Sequence, residues 1–413
     1  MKRCLWLVLA FACAHAAAQP AAATVAARFD LDRPEIAAFV DEVVRQDGLN
    51  RRQVRHLLKE AQPQPKIIEI MSRPLEKVSP WWEYREHFVT EERITDGVQF
   101  WADHRLALEQ AAGKYQVPPE YLVAILGIET KYGRTTGHYR VLDALATLAF
   151  DYPPRQRYFK GELEQFLLLV KEAHLDPLTA TGSYAGAMGA PQFMPSAYRR
   201  YAVDASTDKR LDLWSDWDDI LASVANYLRE YGWTPGGPVL GETRLDPDPT
   251  FQIEPHNLEL NETVDRLGER GVHLETAMPP DTPVVLLSAE QRDGPAYRVG
   301  FHNFYVITRY NNSARYAMAV YDLAQAIRQR LPPPPASPSA PSAPSEPGAP
   351  GAPNAPAAPG APDVPVAPAA PSTPTTPSIP IAPAASPTPA PSPAPAALPP
   401  PTQSPPAASG TAP

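Results

Sequence analysis

The stretch Pro118-Pro119-Glu120-Tyr121-Leu122-Val123-Ala124-Ile125-Leu126-Gly127-Ile128-Glu129-Thr130-Lys131-Tyr132-Gly133 sets the reading of the whole chain. It predicts one helix with clear ends. Pro118 and Pro119 suit a first turn, where a missing N–H costs nothing, and Glu120 complements the positive end of the dipole. Gly133 is a good residue for the C-terminal cap. Leu122, Ile125 and Leu126 share a face, and Glu129, seven residues after Leu122, falls on that same apolar face. A carboxyl group there loses water and lies near the negative end of the helix, so both effects raise its pKa. Desolvation dominates: a rise of about two pH units corresponds to roughly 2.7 kcal/mol, against about 0.3–1 kcal/mol for the dipole. Such a group is suited to general acid chemistry near neutral pH. The plainer reading of the same spacing is a Glu tipping outward at a frayed helix end, since Glu is seldom buried.

Upstream, the pattern is helical throughout. Ile36, Phe39, Val40, Val43 and Val44 form one face, with Pro34 and Glu35 in the first turn and Gly48 as the stop. Asn50 with Gln53 caps a helix carrying Val54, Leu57 and Leu58. A short apolar piece with Ile67, Ile68, Ile70 and Met71 follows Pro65, and Trp81, Trp82 and Tyr84 follow Pro80. Thr90, Glu91 and Glu92 open what reads as one long helix from Ile94 through Trp101 and Leu108 to Tyr115.

Downstream, Leu142, Leu145 and Leu148 mark a helix, and Phe159, Leu163, Phe166, Leu167 and Val170 a longer one. The segment from Gly182 to Ser196 is dense in small residues and too irregular for an ordinary element. Asp216, Asp218 and Asp219 start a helix that Gly232 closes. Between Gly236 and Pro283 only one modest helix, near Val264 to Arg270, is expected. Val284–Leu287, Tyr297–Phe301 and Phe304–Tyr310 are β-rich and read as a small antiparallel sheet. Asn312 or Ser313 caps a last helix through Ala317, Val320, Tyr321, Ala324 and Ile327. The fold class is therefore mainly α with a small antiparallel β subdomain.

The ends of the 413-residue chain differ in kind. Lys2 and Arg3 precede an apolar run from Leu5 to Ala14 and small residues to Ala18, the pattern of a secretory leader over residues 1–18. Both cysteines, Cys4 and Cys13, lie inside it, so the mature chain holds no disulfide and no thiolate metal site. Phe11 makes Ala10-Phe11-Ala12-Cys13 a poor lipid-attachment box; lipidated Cys13 would mean outer-membrane association. No later run is long and apolar enough to span a membrane. A formal net charge of −9 argues against nucleic acid as a partner. Residues 332–413 are mostly Pro, Ala and Ser with only Glu346 and Asp363 charged, a composition that stays disordered and extended. At about 3.1 Å per residue its reach is on the order of 250 Å, which fits a tether toward cell-wall or envelope partners. The folded region is expected over 29–331, with an α part at 29–116, a core at 117–235 and an α/β part at 236–331.

Three motifs stand together: Gly127-Ile128-Glu129-Thr130-Lys131-Tyr132-Gly133, the Ser183-to-Ser196 segment, and Arg309-Tyr310-Asn311-Asn312-Ser313 with Tyr316-Ala317-Met318-Ala319-Val320. In this order on an exported chain they closely resemble the lytic murein transglycosylase B family, from about Asp32 to Arg330. The resemblance implies a lysozyme-like core with a groove for peptidoglycan glycan strands, a periplasmic location and no cofactor. It also implies cleavage of the β-1,4 bond between N-acetylmuramic acid (MurNAc) and N-acetylglucosamine (GlcNAc) without water, leaving a 1,6-anhydro end. Glu129 would act as general acid and then as base. The alternatives are a hydrolytic muramidase and a non-catalytic peptidoglycan-binding protein.

By the same resemblance, Ser183 and Gln192 hydrogen-bond the sugar near the cut, and Tyr84, Tyr310, Asn311 and Tyr316 line the groove. From the residues alone, Ser183 making a turn, Gln192 satisfying a backbone group, and the tyrosines sitting in the core are open alternatives. Ala190-Pro191 stands where relatives often have Leu-Gly, which puts backbone donors there in question because Pro has no N–H. Asp204, Ser206 and Asp208 resemble the start of a calcium loop, but Lys209 replaces its turn glycine and Ser215 its final Glu, which favours a solvated acidic loop and no metal. His104 and His174 have no ligand-like spacing and read as structural or surface residues.

Overall fold

The computed structural model describes residues 28–72, 79–173, 175–206, 208–253 and 258–332. The leader, Cys13, His174 and the sequence from 333 onward lie outside the described residues, as do the expectations attached to them. Residues up to Leu331 form one unit, and Pro332 opens another.

The first half is helical. α1 (Pro34–Asp47), α2 (Arg51–Glu60), α3 (Pro65–Ser72) and α4 (Trp81–Phe88) lead to α5 (Glu91–Asp103), α6 (Arg105–Tyr115) and α7 (Pro119–Thr130). The Asn50 side chain accepts from the Arg52 and Gln53 N–H groups, and Thr90 accepts from Arg93, so both caps form as the sequence predicts. The long helix expected from Thr90 to Tyr115 is two. His104 leaves helical geometry, and its ring packs between Phe100 and Trp217, with centroids 4.5 and 4.8 Å away.

α7 is the axis of the fold. Every residue from Glu120 to Gly127 is buried, so it is enclosed on all sides rather than apolar on one face. α14 packs along it most extensively, with α5, α6 and α11 on its other flanks. Burying its aliphatic side chains contributes about 1.5–3 kcal/mol each relative to exposure. The helix does not end at Gly133. Lys131 is the cap, and Lys131, Tyr132 and Gly133 all take left-handed φ values of 49°, 60° and 81°.

Beyond α7, β1 (Tyr139–Arg140), α8 (Val141–Asp151), α9 (Gln156–Glu172) and β2 (Thr181–Gly182) follow, with β1 and β2 paired antiparallel. α10 (Pro195–Tyr201) and α11 (Trp217–Glu230) complete the helical core. Asp216 caps α11, accepting from Asp218 and Asp219. From the first turn of α11, buried Asp219 accepts from the N–H groups of Ala205, Ser206 and Asp212 in the preceding loop, where Lys209 takes the left-handed turn at φ 62°. No group of three or more His, Cys, Asp or Glu among the described residues is arranged to hold a metal ion.

The sheet comprises β3 (Leu240–Leu245), β4 (Glu262–Thr263), β5 (Val272–Leu274), β6 (Pro283–Ser288) and β7 (Tyr297–Gly300), in the antiparallel order β4-β6-β7-β3-β5. It has its own small core around Leu267, Val284, Val299 and Phe301, under α12 (Val264–Glu269). Phe304–Tyr310 corrects the sequence reading: it is helix α13 (His302–Tyr310), not a strand. Phe304 and Ile307, three apart, bury one face, and Asn303 fixes the start by bonding Thr234 and Gly237. Tertiary packing overrides the β propensity of Val306 and Ile307 here. α14 (Ala314–Arg330) ends the unit, capped by Ser313. No helix among the described residues is long and apolar enough to cross a membrane.

Candidate functional site

Glu129 occupies the last turn of α7, and its position is fixed from three directions. First, Gly127 admits the Tyr132 ring: a Cβ on Gly127 would lie 2.6 Å from the phenol oxygen. That phenol in turn donates to the Arg93 carbonyl at 2.7 Å, so the left-handed turn is wedged against α5. Second, the buried Thr130 hydroxyl donates to the Ala190 carbonyl at 2.9 Å and accepts from the Gly133 N–H at 3.0 Å. One side chain thereby joins the helix end, the turn and the 183–196 segment. Third, the Tyr316 phenol, from the first turn of α14, donates to Glu129 Oε1 at 2.7 Å.

The electrostatics follow from this enclosure. Glu129 as a residue is half-buried, and its carboxyl is closely surrounded by protein. Burial is the larger cause and pushes its pKa up to about 7; the Tyr316 bond favours the carboxylate and pulls the other way. Burial also raises the phenols of Tyr84, Tyr310 and Tyr316, and each is raised further by the Glu129 charge beside it. The surroundings of the carboxyl are thus neutral phenols that can donate hydrogen bonds without ionising.

The predicted site residues come together in part. Tyr310 lies close enough to Glu129 to feel its charge, but its hydroxyl is committed to the Pro191 carbonyl at 2.6 Å, and its ring packs on Phe193 and Tyr227. Proline's missing N–H is not felt here, because the segment is tied through carbonyl oxygens, Pro191 to Tyr310 and Ala190 to Thr130. The Ala190 N–H donates to Leu213. Asn311 ends α13 with its Oδ1 buried and unpaired.

Ser183 and Gln192 have partly structural roles. The Ser183 Oγ accepts from the N–H groups of Ala185 and Ala187, which leaves its own hydroxyl proton to give. Gln192, at φ 53°, donates from Nε2 to the Thr136 and Gly189 carbonyls, so its Oε1 is the end left to accept. Tyr84, half-buried on α4, has no hydroxyl partner among the described residues and receives the Arg315 guanidinium over its ring at 5.0 Å.

Two residues escaped the sequence reading. Thr130 is one, although its place beside the acid and four residues after Leu126 was visible. Arg315 is the other, directly before Tyr316 and between the two pieces of the third motif.

Residues 32–325 match the transglycosylase SLT domain family. This chain belongs to the lytic murein transglycosylase B family. It is 39% identical over 305 residues to the membrane-bound lytic murein transglycosylase B of Escherichia coli K12, spanning 72% of this chain and 83% of that protein. It is similar in structure to the catenated lytic transglycosylase SltB1 of Pseudomonas aeruginosa, with a TM-score of 0.68 at 44% identity over 72% of this chain and 97% of that one. SltB3 of the same organism, solved in complex with NAG-anhNAM-pentapeptide, matches with a TM-score of 0.62 at 31% identity, covering 71% of this chain and 78% of that one. The helical core of this transglycosylase is accordingly lysozyme-like, and the family match runs on through the small antiparallel sheet.

Proposed function

We propose that this enzyme cleaves the MurNAc-β-1,4-GlcNAc bond of peptidoglycan without water, using Glu129 twice. The observation that carries the reading is an enclosed carboxyl at the end of α7, met by the Tyr316 phenol at 2.7 Å and pushed up to about 7 by burial. Hydrolytic glycosidases ordinarily need a second carboxylate, about 5–9.5 Å away, to act as nucleophile or to activate water. A single group near the working pH serves a route in which it is acid first and base second.

In the first half, protonated Glu129 gives its proton to the glycosidic oxygen as the C1–O bond breaks, and the muramyl 2-acetamido oxygen supports C1. The Tyr316 hydrogen bond stabilises the carboxylate so formed. In the second half, the C6 hydroxyl attacks C1, its proton passes to Glu129, and a 1,6-anhydro ring closes. Ser183 would donate to the sugar and Gln192 Oε1 would accept from its hydroxyl and amide groups, with Asn311 lining the groove beside them. Tyr84 would offer its ring and free hydroxyl to the groove. The complex of SltB3 with an anhydro-muramyl pentapeptide supports the same product class for a relative.

The organisation we propose has a cleaved leader at 1–18, the catalytic region at 29–331, and a tail from 332 that spaces the enzyme from an envelope partner in the periplasm. Mass spectrometry of products from purified sacculi tests the chemistry. Anhydro ends are expected. Products heavier by one water would make the enzyme a muramidase, and binding of sacculi without soluble products would make it a binding protein.

A further inference from the structure

We propose that Arg315 is a carboxylate-binding subsite that selects glycan strands carrying peptide stems; the inference rests on the function proposed above. Arg315 stands at the second position of α14, directly before Tyr316, whose phenol holds Glu129. One N–H of its Nη1 donates to the Ser79 carbonyl at 2.7 Å, and the guanidinium plane lies over Tyr84, 5.0 Å from the ring centroid. Among the described residues no carboxylate pairs with it and no second acceptor meets its remaining N–H groups. Its position does not serve the helix, because a cation in the first turn opposes the dipole.

Arg309 also lacks a carboxylate but is held by the Thr308 hydroxyl and the Asn312 side chain over the Tyr305 ring, and four further arginines are paired. Arg85 and Arg298 share the carboxylate of Asp322, with Glu242 also on Arg298. Arg292 clasps Glu86, and Arg328 pairs with Glu120. Arg315 is partly exposed and held by one carbonyl and a ring, and its remaining N–H groups meet no acceptor among the described residues. The arrangement is pre-organised, which lowers the entropy lost on binding a bidentate anion.

The substrate supplies that anion. Peptide stems branch from the lactyl group of the muramyl sugar, the residue whose C1 is cut, and carry free carboxylates. Arg315 lies over the Tyr84 ring and directly precedes Tyr316, whose phenol meets Glu129, and Tyr84 feels the charges of both Arg315 and Glu129, so the cation stands close to the acid. A stem carboxylate seated on Arg315 would fix the muramyl sugar's rotation about the strand axis.

The test compares equilibrium binding and cleavage of two ligands, stem-bearing strands and the same strands stripped by an amidase, with the wild-type enzyme and Arg315→Gln. Arg315→Gln is expected to weaken binding of stem-bearing strands about tenfold and leave stripped strands unchanged, with Arg315→Lys retaining part of the preference. Stems whose carboxylates are capped as amides should bind both proteins alike. Equal weakening toward both ligands, or none toward either, overturns the proposal. Strands that bind with this dependence on Arg315 but are never cut would instead refute the catalytic reading.

Discussion

Glu129→Gln separates the electrostatic argument from the catalytic one. Gln is isosteric with the protonated acid and can still accept from Tyr316, so the packing of the helix end survives. In the wild-type protein the enclosed carboxyl must be ionised above pH 7, against an ordinary value of 4.5 and a folded value of about 7. At about 1.36 kcal/mol per pH unit, that difference corresponds to about 3 kcal/mol, an upper value because the residue keeps some contact with water. The sign is set by proton binding. Between pH 4.5 and 7 the folded state holds the proton more tightly than the unfolded state, so wild-type stability falls as pH rises through that window. The variant has nothing to ionise and escapes the loss. Urea unfolding across pH 4–9 should show the two proteins alike near pH 4 and the variant more stable at pH 8 by up to about 3 kcal/mol. Release of soluble fragments from sacculi should be abolished at every pH. A stability difference that is constant with pH would refute the desolvation argument, and substantial residual cleavage would remove Glu129 from its role.

Tyr316→Phe deletes the donor that favours the Glu129 carboxylate. The pH–rate profile should move its alkaline limb upward, with a rate loss of about tenfold or more; an unmoved limb would show the bond to be incidental. Thr130→Val leaves the Ala190 carbonyl and Gly133 N–H without their partner, at a cost of about 1–3 kcal/mol in stability, and should lower kcat more than it raises KM. Thr130→Ser should restore both in steady-state assays and melting curves. Gly127→Ala puts a methyl group 2.6 Å from the Tyr132 phenol oxygen and should lower stability by about 1–3 kcal/mol with a parallel loss of cleavage; an unchanged Tm would show that the wedge gives way freely.

The helical core was legible because its signals are local. Asn50, Thr90 and Asp216 sit where helices begin, and the spacing of Phe159, Leu163, Phe166 and Val170 can mean little else. The sheet was half visible. β6 and β7 carry apolar runs, whereas β3 alternates Glu242 and Arg244 with small or apolar neighbours and takes its identity from the strands on either side. Val306 and Ile307 misled for the same reason, since what decides their state is Asn303 gripping a loop some 66–69 residues away in sequence. At the site, the position of Glu129 on an apolar turn could be read from periodicity. That Tyr316 would meet it across 187 residues could not, and neither could the direction of each hydrogen bond. Ser183 and Gln192 show how one side chain can serve both readings weighed for it, holding a turn with one end and leaving the other open.

Tyr316 reaches Glu129 from 187 positions later in the chain, on the last helix of the folded unit. A polypeptide emerging from its N-terminus therefore carries its acid long before the phenol that tunes it. Because α14 also packs along α7, the enclosure that raises the carboxyl's pKa is complete only with this last helix in place.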